Sequence, residues 1–242
     1  EFFEKSIKRL VKNKTIKKKK GKYYLAATKP VSWQHRYDET KEILDRNDFV
    51  LKALQSIPWI KSINITGSLG AYNATRSSDI DVFIITGKKR LWITRLFVVL
   101  ILKVLNKYPI QGDDRERVCP NILVDERNLT WPKNRQNIYV ANEISMMQPI
   151  YDKDQTYFKF IKANKWIFRH LKNFSVEIPE KFVNGKRKSP IMDNIDNKLM
   201  KLQLKYMKEK TTEVTKKGFI HFNVSDSSYK TVKKYKIALK KL

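Results

Sequence analysis

The sequence predicts an α+β fold, with a small mixed β-sheet core between a basic N-terminal hairpin and a helical C-terminal region. Two apolar runs, at residues 63–66 and 80–85, are bounded by turn residues and indicate strands. Lysines around Lys20-Gly21 indicate a basic hairpin, and apolar residues at helical spacing dominate after Trp131. The predicted regions are 1–32 for the basic helix and hairpin, 33–135 for the sheet core and 136–242 for the helical region.

The composition favours a polyanionic partner. The 242 residues include 51 Lys and Arg against 24 Asp and Glu, a formal net charge of +27. So large an excess destabilises a compact fold by self-repulsion, which a nucleic acid would relieve. A lysine-rich proteome set by base composition explains the same excess without a partner. The densest basic stretches are Lys17–Lys22, Lys186–Lys188 and Lys230–Lys241.

The cysteine content and the absence of targeting patterns favour a cytoplasmic protein. Cys119 is the single cysteine, which excludes an intrachain disulfide. The N-terminal sequence has the wrong order of apolar and basic residues for a signal peptide. The apolar run Leu96–Leu102 is far shorter than the ~20 residues that span a bilayer. We therefore expect a buried helix at this run and no membrane partner.

The N-terminal region predicts a helix followed by a hairpin. Apolar residues at helical spacing cover residues 2–12, and residues 15–25 form two short strands around the Lys20-Gly21 turn. This order resembles the last half of a winged-helix domain, with a basic surface hairpin as the alternative. Since the helix begins too near residue 1 for a three-helix core to precede it, we expect a minimal or a truncated domain. Tyr23, Tyr24 and Trp33 can stack on bases or pack against the first helix.

The remaining elements follow from apolar periodicity and turn residues. In the core we predict a helix over 33–57, strands over 63–66, 80–85 and 118–125, a short helix at Gly67-Ser68, a helix over 90–106 and a charged loop at 113–117. Beyond it we predict helices over 138–150, 157–171, 191–206 and from residue 229, with a loop at 175–190.

The Asp79-Ile80-Asp81 triplet at the start of a strand carries the clearest chemistry. Residues two apart on a strand share a face, so Asp79 and Asp81 point to one side and Ile80 points into the core. Two carboxylates on one face repel each other unless a cation lies between them. Mg²⁺ prefers oxygen ligands and also binds substrate phosphates, so the pattern predicts a site for two such ions. Solvated aspartates at a strand end are the alternative when the triplet is taken alone.

Gly67 and Ser68, at the end of the preceding strand, are candidates for phosphate binding. Glycine allows a sharp turn and a close approach to a ligand. Ser68 would lie at a helix N-terminus, where free backbone N–H groups favour phosphate oxygens. An ordinary serine N-cap is the alternative.

Together these residues resemble a known signature. The stretch Ile63–Ile85, with its apolar strand, Gly67-Ser68, a gap of about ten residues, Asp79-Ile-Asp81 and a second apolar strand, resembles the nucleotidyltransferase signature of the DNA polymerase beta superfamily. The resemblance covers about residues 36–125. It implies a nucleotidyltransferase core, a nucleoside triphosphate substrate, Asp79 and Asp81 as catalytic metal ligands, and Gly67 and Ser68 on the nucleotide. Segments 141–144 and 163–166 are also similar to uncharacterised bacterial nucleotidyltransferase-domain proteins.

Many members of this superfamily place a third carboxylate on the next strand, where it helps to activate the attacking hydroxyl. In the predicted strand 118–125, Asn121 and Asp125 share a face, with Asn121 nearer the middle and Asp125 at the end. If Asn121 holds the third position, the site keeps its metal ligands but lacks a base at that position.

The sequence therefore supports a Mg²⁺-dependent nucleotidyltransferase that moves a nucleoside monophosphate from a triphosphate onto a hydroxyl. The charge favours an RNA acceptor over a small molecule. The alternative is a catalytically weak or inactive nucleic-acid-binding protein on the same core, and modification of a protein or an antibiotic is a third hypothesis. Four basic residues are expected to flank the site, where they either hold the triphosphate or are solvated. They are Arg76, Lys88, Lys89 and Arg90.

Overall fold

The computed structural model describes residues 1–19, 21–29, 31–110, 112, 115–183, 190–207, 213–222 and 227–240. Its helices are α1 (Phe2–Lys12), α2 (Trp33–Arg46), α3 (Asp48–Gln55), α4 (Gly67–Gly70), α5 (Leu91–Val104), α6 (Ile138–Ser145), α7 (Thr156–Ala163), α8 (Ile167–His170), α9 (Pro190–Tyr206) and α10 (Ser227–Leu239). Its strands are β1 (Ile16–Lys19), β2 (Lys22–Leu25), β3 (Ile60–Ile65), β4 (Ile80–Thr86), β5 (Val118–Asp125), β6 (Gln148–Asp152), β7 (Val214–Lys216) and β8 (Phe219–His221).

The protein is a mixed α+β structure built on one six-stranded mixed sheet. The strand order is β6-β3-β4-β5-β8-β7, with β4 and β5 parallel and every other neighbouring pair antiparallel. Helix α5 makes the crossover between the parallel strands, as a parallel pair requires. The predicted mixed-sheet α+β class is confirmed.

Alternation along β4 divides the core between the two faces of the sheet. Ile80, Val82 and Ile84 are fully buried against α2, α3 and α5. Phe83 and Ile85 face the other way and pack against α6, α7 and α8. A strand buried on both faces needs apolar residues at nearly every position, and the sequence Ile-Asp-Val-Phe-Ile-Ile departs from this only at Asp81.

Three strands of the sheet come from the region predicted to be helical. The helix predicted over 138–150 is wrong beyond Ser145, because β6 begins at Gln148 and pairs with β3. Pro149 lacks an N–H group, and β6 is an edge strand, where proline is tolerated. Strands β7 and β8 form a hairpin that pairs with β5 through residues 122–124. The sheet thus draws strands from both sides of residue 135.

Two predicted helices are each divided by an asparagine. Asn47 separates α2 from α3, and its amide donates to the Ile43 carbonyl at 2.8 Å and to Glu116 at 3.2 Å. Asn164 ends α7, where its amide donates to the carbonyls of Leu129 and Phe160 and its oxygen accepts from the Trp131 backbone N–H. Both side chains replace helix hydrogen bonds with contacts to other parts of the chain.

The N-terminal helix α1 has no buried residue, and β1 and β2 pair as the predicted antiparallel hairpin. The likeness of α1 and this hairpin to the last half of a winged-helix domain stays a prediction. Parts of other predictions lie outside the described residues. These are Lys20 of the hairpin turn, positions 113 and 114 of the charged loop, and positions 184–189, which include Lys186–Lys188. Among the helices described, none has the length and apolar character needed to cross a bilayer.

Candidate metal and nucleotide site

Asp79 and Asp81 lie together at the start of β4, as the alternation predicted. Each is half-buried, and oxygens of the two carboxylates lie within 4.8 Å of each other and of the Cys119 sulfur. The Cys119 thiol donates to Asp79 Oδ2 at 3.3 Å. These three residues form a group that can hold a metal ion.

Gly67 lies directly against the Asp81 carboxylate. Its φ of +61° is in the left-handed region that favours glycine. A Cβ at this position would collide with Asp81 Oδ2. The sharp turn after β3 therefore requires glycine for both its backbone conformation and its contact with the candidate metal ligand.

Ser68 joins the turn to the loop that precedes Asp79. Its hydroxyl donates to the Ser78 hydroxyl at 3.2 Å, and the Ser78 oxygen also accepts from the Thr75 backbone N–H at 2.9 Å. The same loop is fixed to α2, because Arg36 donates to the Ala74 carbonyl at 2.9 Å. Hydrogen bonds between positions far apart in the sequence thus fix the Gly67-Ser68 turn to the loop that leads into Asp79.

Asn121, and not Asp125, lies beside the aspartate pair. A bulge between the Asp81–Cys119 and Phe83–Ile122 pairs brings the Asn121 amide into a hydrogen bond with Asp81 Oδ1. Asp125 pairs with Thr86 at the opposite end of β4. The prediction that Asn121 and Asp125 share a face ignored the bulge, which breaks the alternation of β5.

The electrostatics at Asp81 are unfavourable in the protein alone. Burial, followed by the charges of Asp79 and Glu143, raises the pKa of Asp81 to about 7. Among the residues that the structure describes, no lysine, arginine or histidine forms an ion pair with Asp79 or Asp81. A bound cation would supply the missing positive charge.

Two residues of the site were not predicted as site residues from the sequence. Cys119 is two residues before Asn121, and its pairing with Asp81 depends on the register of β5. Glu143 is on α6, whose place over the sheet is set by tertiary packing. Burial raises the pKa of Glu143, and a hydrogen bond from Tyr139 acts in the opposite direction. The only sequence signal for Glu143 was its place in segment 141–144, which is similar to nucleotidyltransferase-domain proteins.

A cavity of ≈ 130 Å³ lies on the face of the sheet covered by α6, the face onto which Phe83 of β4 points. It is lined by Thr66, Phe83, Ile122, Trp131, Tyr139, Val140, Glu143, Ile144, Met147, His221 and Ser228. Thr66, one of these residues, immediately precedes the Gly67 turn. Trp131 is buried, and its indole N–H has no hydrogen-bond partner in the described structure. The cavity thus combines apolar walls with the carboxylate of Glu143.

The basic residues expected around the site are divided. Lys89 and Arg90 follow the far end of β4, where both pair with Asp193 of α9 at 2.8 Å and 2.6 Å. Their predicted place beside the aspartates is wrong, because seven residues of extended chain separate Asp79 from that end. Arg76 stays near the site, with its side chain 83% exposed and 3.6 Å from Glu39.

The donor set fits magnesium at the two carboxylates and differs from its preference at Cys119. Magnesium takes oxygen ligands, and the aspartates present them on one face with the backbone of Gly67 behind. A thiolate favours softer metals such as zinc. Because the thiol donates to Asp79, Cys119 can orient that carboxylate without binding the ion.

The comparisons with known proteins found distant structural matches. No protein-family model matches the chain, and no curated protein matches it. A crystal structure of a toxin-antitoxin with AMP-PNP matches at 17% identity and a TM-score of 0.30, over 56% of this chain and 89% of that one. Two mutants of the MntA-HpeT toxin-antitoxin match at 20% and 16% identity, with TM-scores of 0.31 and 0.29. The first covers 52% of this chain and 88% of its own, and the second 56% and 88%. At such TM-scores the matches define no shared activity.

Proposed function

We propose that the protein is a Mg²⁺-dependent nucleotidyltransferase that moves a nucleoside monophosphate from a nucleoside triphosphate onto a hydroxyl group, with RNA as the favoured acceptor. One observation carries the proposal. Asp79 and Asp81 form a close, half-buried pair of carboxylates without a cationic partner among the described residues, held against the backbone of Gly67. A stable fold tolerates such a pair most readily where a bound cation completes it.

The residues of the site have separate roles in the proposed reaction. Asp79 and Asp81 would hold two Mg²⁺ ions, which supply charge neutralisation at the phosphates when bound. Gly67 and Ser68 are assigned to the triphosphate, since their turn lies beside the aspartates and is fixed by the Ser68–Ser78 hydrogen bond. Cys119 keeps the Asp79 carboxylate oriented.

We assign the proton acceptor to Glu143 because the position beside Asp81 on β5 is occupied by Asn121. An amide cannot accept a proton from an attacking hydroxyl under neutral conditions, whereas a carboxylate can. Glu143 lines the cavity and is near enough to Asp81 for its charge to raise the pKa of that residue. The raised pKa of Glu143 itself moves it toward the range useful for proton transfer.

The nucleoside would enter the cavity next to the turn. Phe83 and Ile122 give it apolar walls, and Glu143 adds a carboxylate that a polar group of the nucleotide can contact.

RNA is favoured as the acceptor by the charge of the chain. The net charge of +27 gives a long-range attraction for polyanions that a small neutral acceptor would not exploit. Cytoplasmic location, expected from the sequence, remains part of this proposal.

A second candidate function is nucleic-acid binding on a catalytically weak core. Asn121 supports it, since this side chain occupies the place beside Asp81 and donates to that carboxylate. The two functions differ in what the aspartates do, because a binding protein does not need them for affinity.

The test of the proposal is a transfer assay with each labelled nucleoside triphosphate, Mg²⁺ and total cellular RNA. The parent is compared with the Asp79→Asn/Asp81→Asn double variant, which keeps the shape of both side chains and removes their charge. We expect label on RNA with the parent and a loss of at least about 10³-fold with the double variant, since metal stabilisation of the transition state is removed.

The matched control is Asp45→Asn, the same change at an exposed position of α2. It is expected to leave transfer unchanged. Label on RNA that survives in the double variant would refute the role of the aspartates. RNA bound equally by parent and double variant, without any transfer to RNA or to the protein itself, would favour the second function.

A further inference from the structure

Three aromatic side chains outside the metal site form a continuous series along α2. Trp33 and Tyr37 are one helical turn apart, and their ring centroids lie 5.2 Å from each other. Tyr37 in turn lies 5.0 Å from Tyr72, and both pairs are tilted by 31°. We call Trp33, Tyr37 and Tyr72 the aromatic series. The sequence left two roles open for Trp33, and the structure places its ring on Tyr37.

The aromatic series is accompanied by cations. Lys22 of the basic hairpin lies with its ammonium 4.6 Å from the centre of the Trp33 ring, and Lys41 lies 5.8 Å from that of Tyr37. Arg36 lines the same surface and is held in place by the Ala74 carbonyl. An aromatic face beside a long-chain ammonium suits a nucleotide, since the base can stack on the ring while the ammonium binds the phosphate.

A groove of ≈ 520 Å³ runs along this surface. It is lined by Val31, Trp33, Arg36, Ala71, Tyr72 and Asn73. Trp33 is 52% exposed, which is unusual for a tryptophan and leaves much of the ring open to a ligand. A folded protein gains nothing from such exposure by itself, so the groove is a candidate binding surface.

The inner end of the groove is joined by backbone hydrogen bonds to the turn that carries Gly67 and Ser68. Tyr72 follows α4 directly, and the Asn73 backbone N–H donates to the Ser68 carbonyl at 2.8 Å. Tyr72 also has a φ of +49°, which is uncommon for a bulky residue and costs free energy. The chain at Tyr72 is therefore held in a strained conformation directly after α4, with the Tyr72 ring against Tyr37.

We infer that the groove lined by Trp33 and Tyr72, whose rings lie on either side of Tyr37, binds single-stranded nucleic acid by stacking on the exposed Trp33 ring, with Lys22, Arg36 and Lys41 on its phosphates. A single strand is favoured over a duplex because only unpaired bases offer free faces to aromatic side chains. Where the proposed transferase function holds, a strand in this groove leads its terminal hydroxyl toward Ser68 and the aspartates. The binding itself needs neither Mg²⁺ nor a nucleoside triphosphate.

The first test measures affinity for a short fluorescent oligouridylate and its oligothymidylate equivalent, beside an RNA duplex, without Mg²⁺. Trp33→Ala is expected to weaken binding of both single strands by about 5- to 100-fold, the range for loss of one stacked base. Its dependence on salt should equal that of the parent, because no charge is lost. Lys22→Ala should instead lower the slope of log K against log salt by about 0.7.

The matched controls are Phe49→Ala and Lys201→Ala, which remove an exposed ring and an exposed ammonium elsewhere on the protein. Both are expected to leave the affinity for single strands within about twofold, since stacking and phosphate contacts act locally. If Trp33→Ala binds as the parent does, or if Lys201→Ala lowers affinity as much as Lys22→Ala, the inference is wrong and binding is a general effect of net charge.

Tryptophan fluorescence gives a second readout that does not depend on stability. Trp92, Trp131 and Trp166 are buried, and Trp33 is the most exposed of the tryptophans. Stacking on Trp33 should quench its emission, and Trp33→Phe should abolish the quenching while keeping most of the affinity. Unchanged quenching in Trp33→Phe would overturn the assignment.

The outcomes separate this inference from the proposed function. The Asp79→Asn/Asp81→Asn variant should bind the single strands as tightly as the parent. Binding without any transfer would leave the groove established and refute the transferase. Transfer to RNA with binding unaffected by Trp33→Ala would leave the transferase established and refute the groove.

Discussion

The parallel strand pair β4–β5 carries a half-buried carboxylate, Asp81, at one end and a fully buried one, Asp125, at the other. The charges that surround these two carboxylates are opposite in sign. Asp81, near the start of β4, has Asp79 and Glu143 as charged neighbours and Asn121 as a hydrogen-bond donor. Asp125, at the end of β5, is fully buried and forms an ion pair with Arg127. It also accepts from the Arg127 backbone N–H at 2.8 Å and from the Asn128 amide at 3.0 Å.

The difference distinguishes a structural carboxylate from a candidate metal ligand on the same two strands. The charge of Asp125 is balanced within the chain, so removal of that carboxylate would disrupt the fold. The charge of Asp81 is balanced by nothing in the described chain, so the fold would gain from its removal. The unbalanced charge supports the proposal that Asp81 serves a ligand, and stability measurements can test that proposal without an assay for activity.

The largest expected effect is a gain of stability in Asp81→Asn without metal. The pKa of Asp81 is about 7 in the folded protein and about 3.9 in an unfolded chain. Between these values the folded state holds a proton that the unfolded state has released, so the free energy of unfolding of the parent falls as pH rises. At about 1.4 kcal/mol per pKa unit, the penalty above pH 7 is up to about 4 kcal/mol.

Urea unfolding in the presence of EDTA measures this penalty. The difference between Asp81→Asn and the parent should be near zero at about pH 4 and grow until about pH 7. Asp45→Asn, at an exposed position, is the matched control. A difference that is the same at all pH values would contradict the unfavourable environment assigned to Asp81.

A loss of stability, in contrast to the gain at Asp81, is expected at the other end of the strands. Asp125→Asn should lower the free energy of unfolding by about 3 kcal/mol, because it breaks a buried ion pair and replaces one of two accepting oxygens with an NH₂ donor. The guanidinium is about one third exposed, which limits the cost. Thermal and urea unfolding of Asp125→Asn and of its neighbour Glu126→Gln provide the comparison. Equal stabilities of these two variants would show that Asp125 has no special structural role.

A smaller effect is expected for Gly67→Ala, which tests the contact between the turn and Asp81. The new Cβ would meet the Asp81 carboxylate and the residue would keep a φ of +61°, so we expect a loss of about 2 kcal/mol. Gly112→Ala is the control, since Gly112 has a φ of +89° and no atom lies within 4 Å of the place its Cβ would take. It should show the backbone strain alone. We expect Mg²⁺ to raise the free energy of unfolding of the parent by binding to Asp79 and Asp81, and to raise that of Gly112→Ala equally. A Gly67→Ala variant that Mg²⁺ stabilises as strongly as the parent would separate the turn from the metal site.

The part of the site predicted from sequence is the part set by local rules. Alternation along a strand placed Asp79 and Asp81 on one face, and the need for a tight turn identified Gly67. The contribution of Asn121 depended on a bulge in β5, whose sequence signal is Pro120, since an interior strand tolerates proline at a bulge. Glu143 required knowledge of where α6 packs, since its position in the sequence is remote from the aspartates.

The fold was predicted to a similar extent and for similar reasons. The central strands have enough apolar residues to be recognised, whereas β7 and β8 have three residues each, too few for a period to emerge. Met146 and Met147 continue the apolar pattern of α6 toward Pro149, and only pairing with β3 makes the following residues a strand. Lys89 and Arg90 were placed by their nearness to Asp81 in sequence, although a strand carries its two ends far apart.

The late arrival of β8 has a consequence for synthesis on the ribosome. Residues 122–124 of β5 pair with residues 219–221 of β8. About a hundred residues must therefore be translated before β5, which already pairs with β4, gains β8 as its second neighbour. During this interval Ile122, Leu123 and Val124 form an open apolar edge of the nascent sheet. The emerging protein is therefore most prone to aggregation while α6 to α9 are being made, and a chaperone that covers strand edges would act in that period.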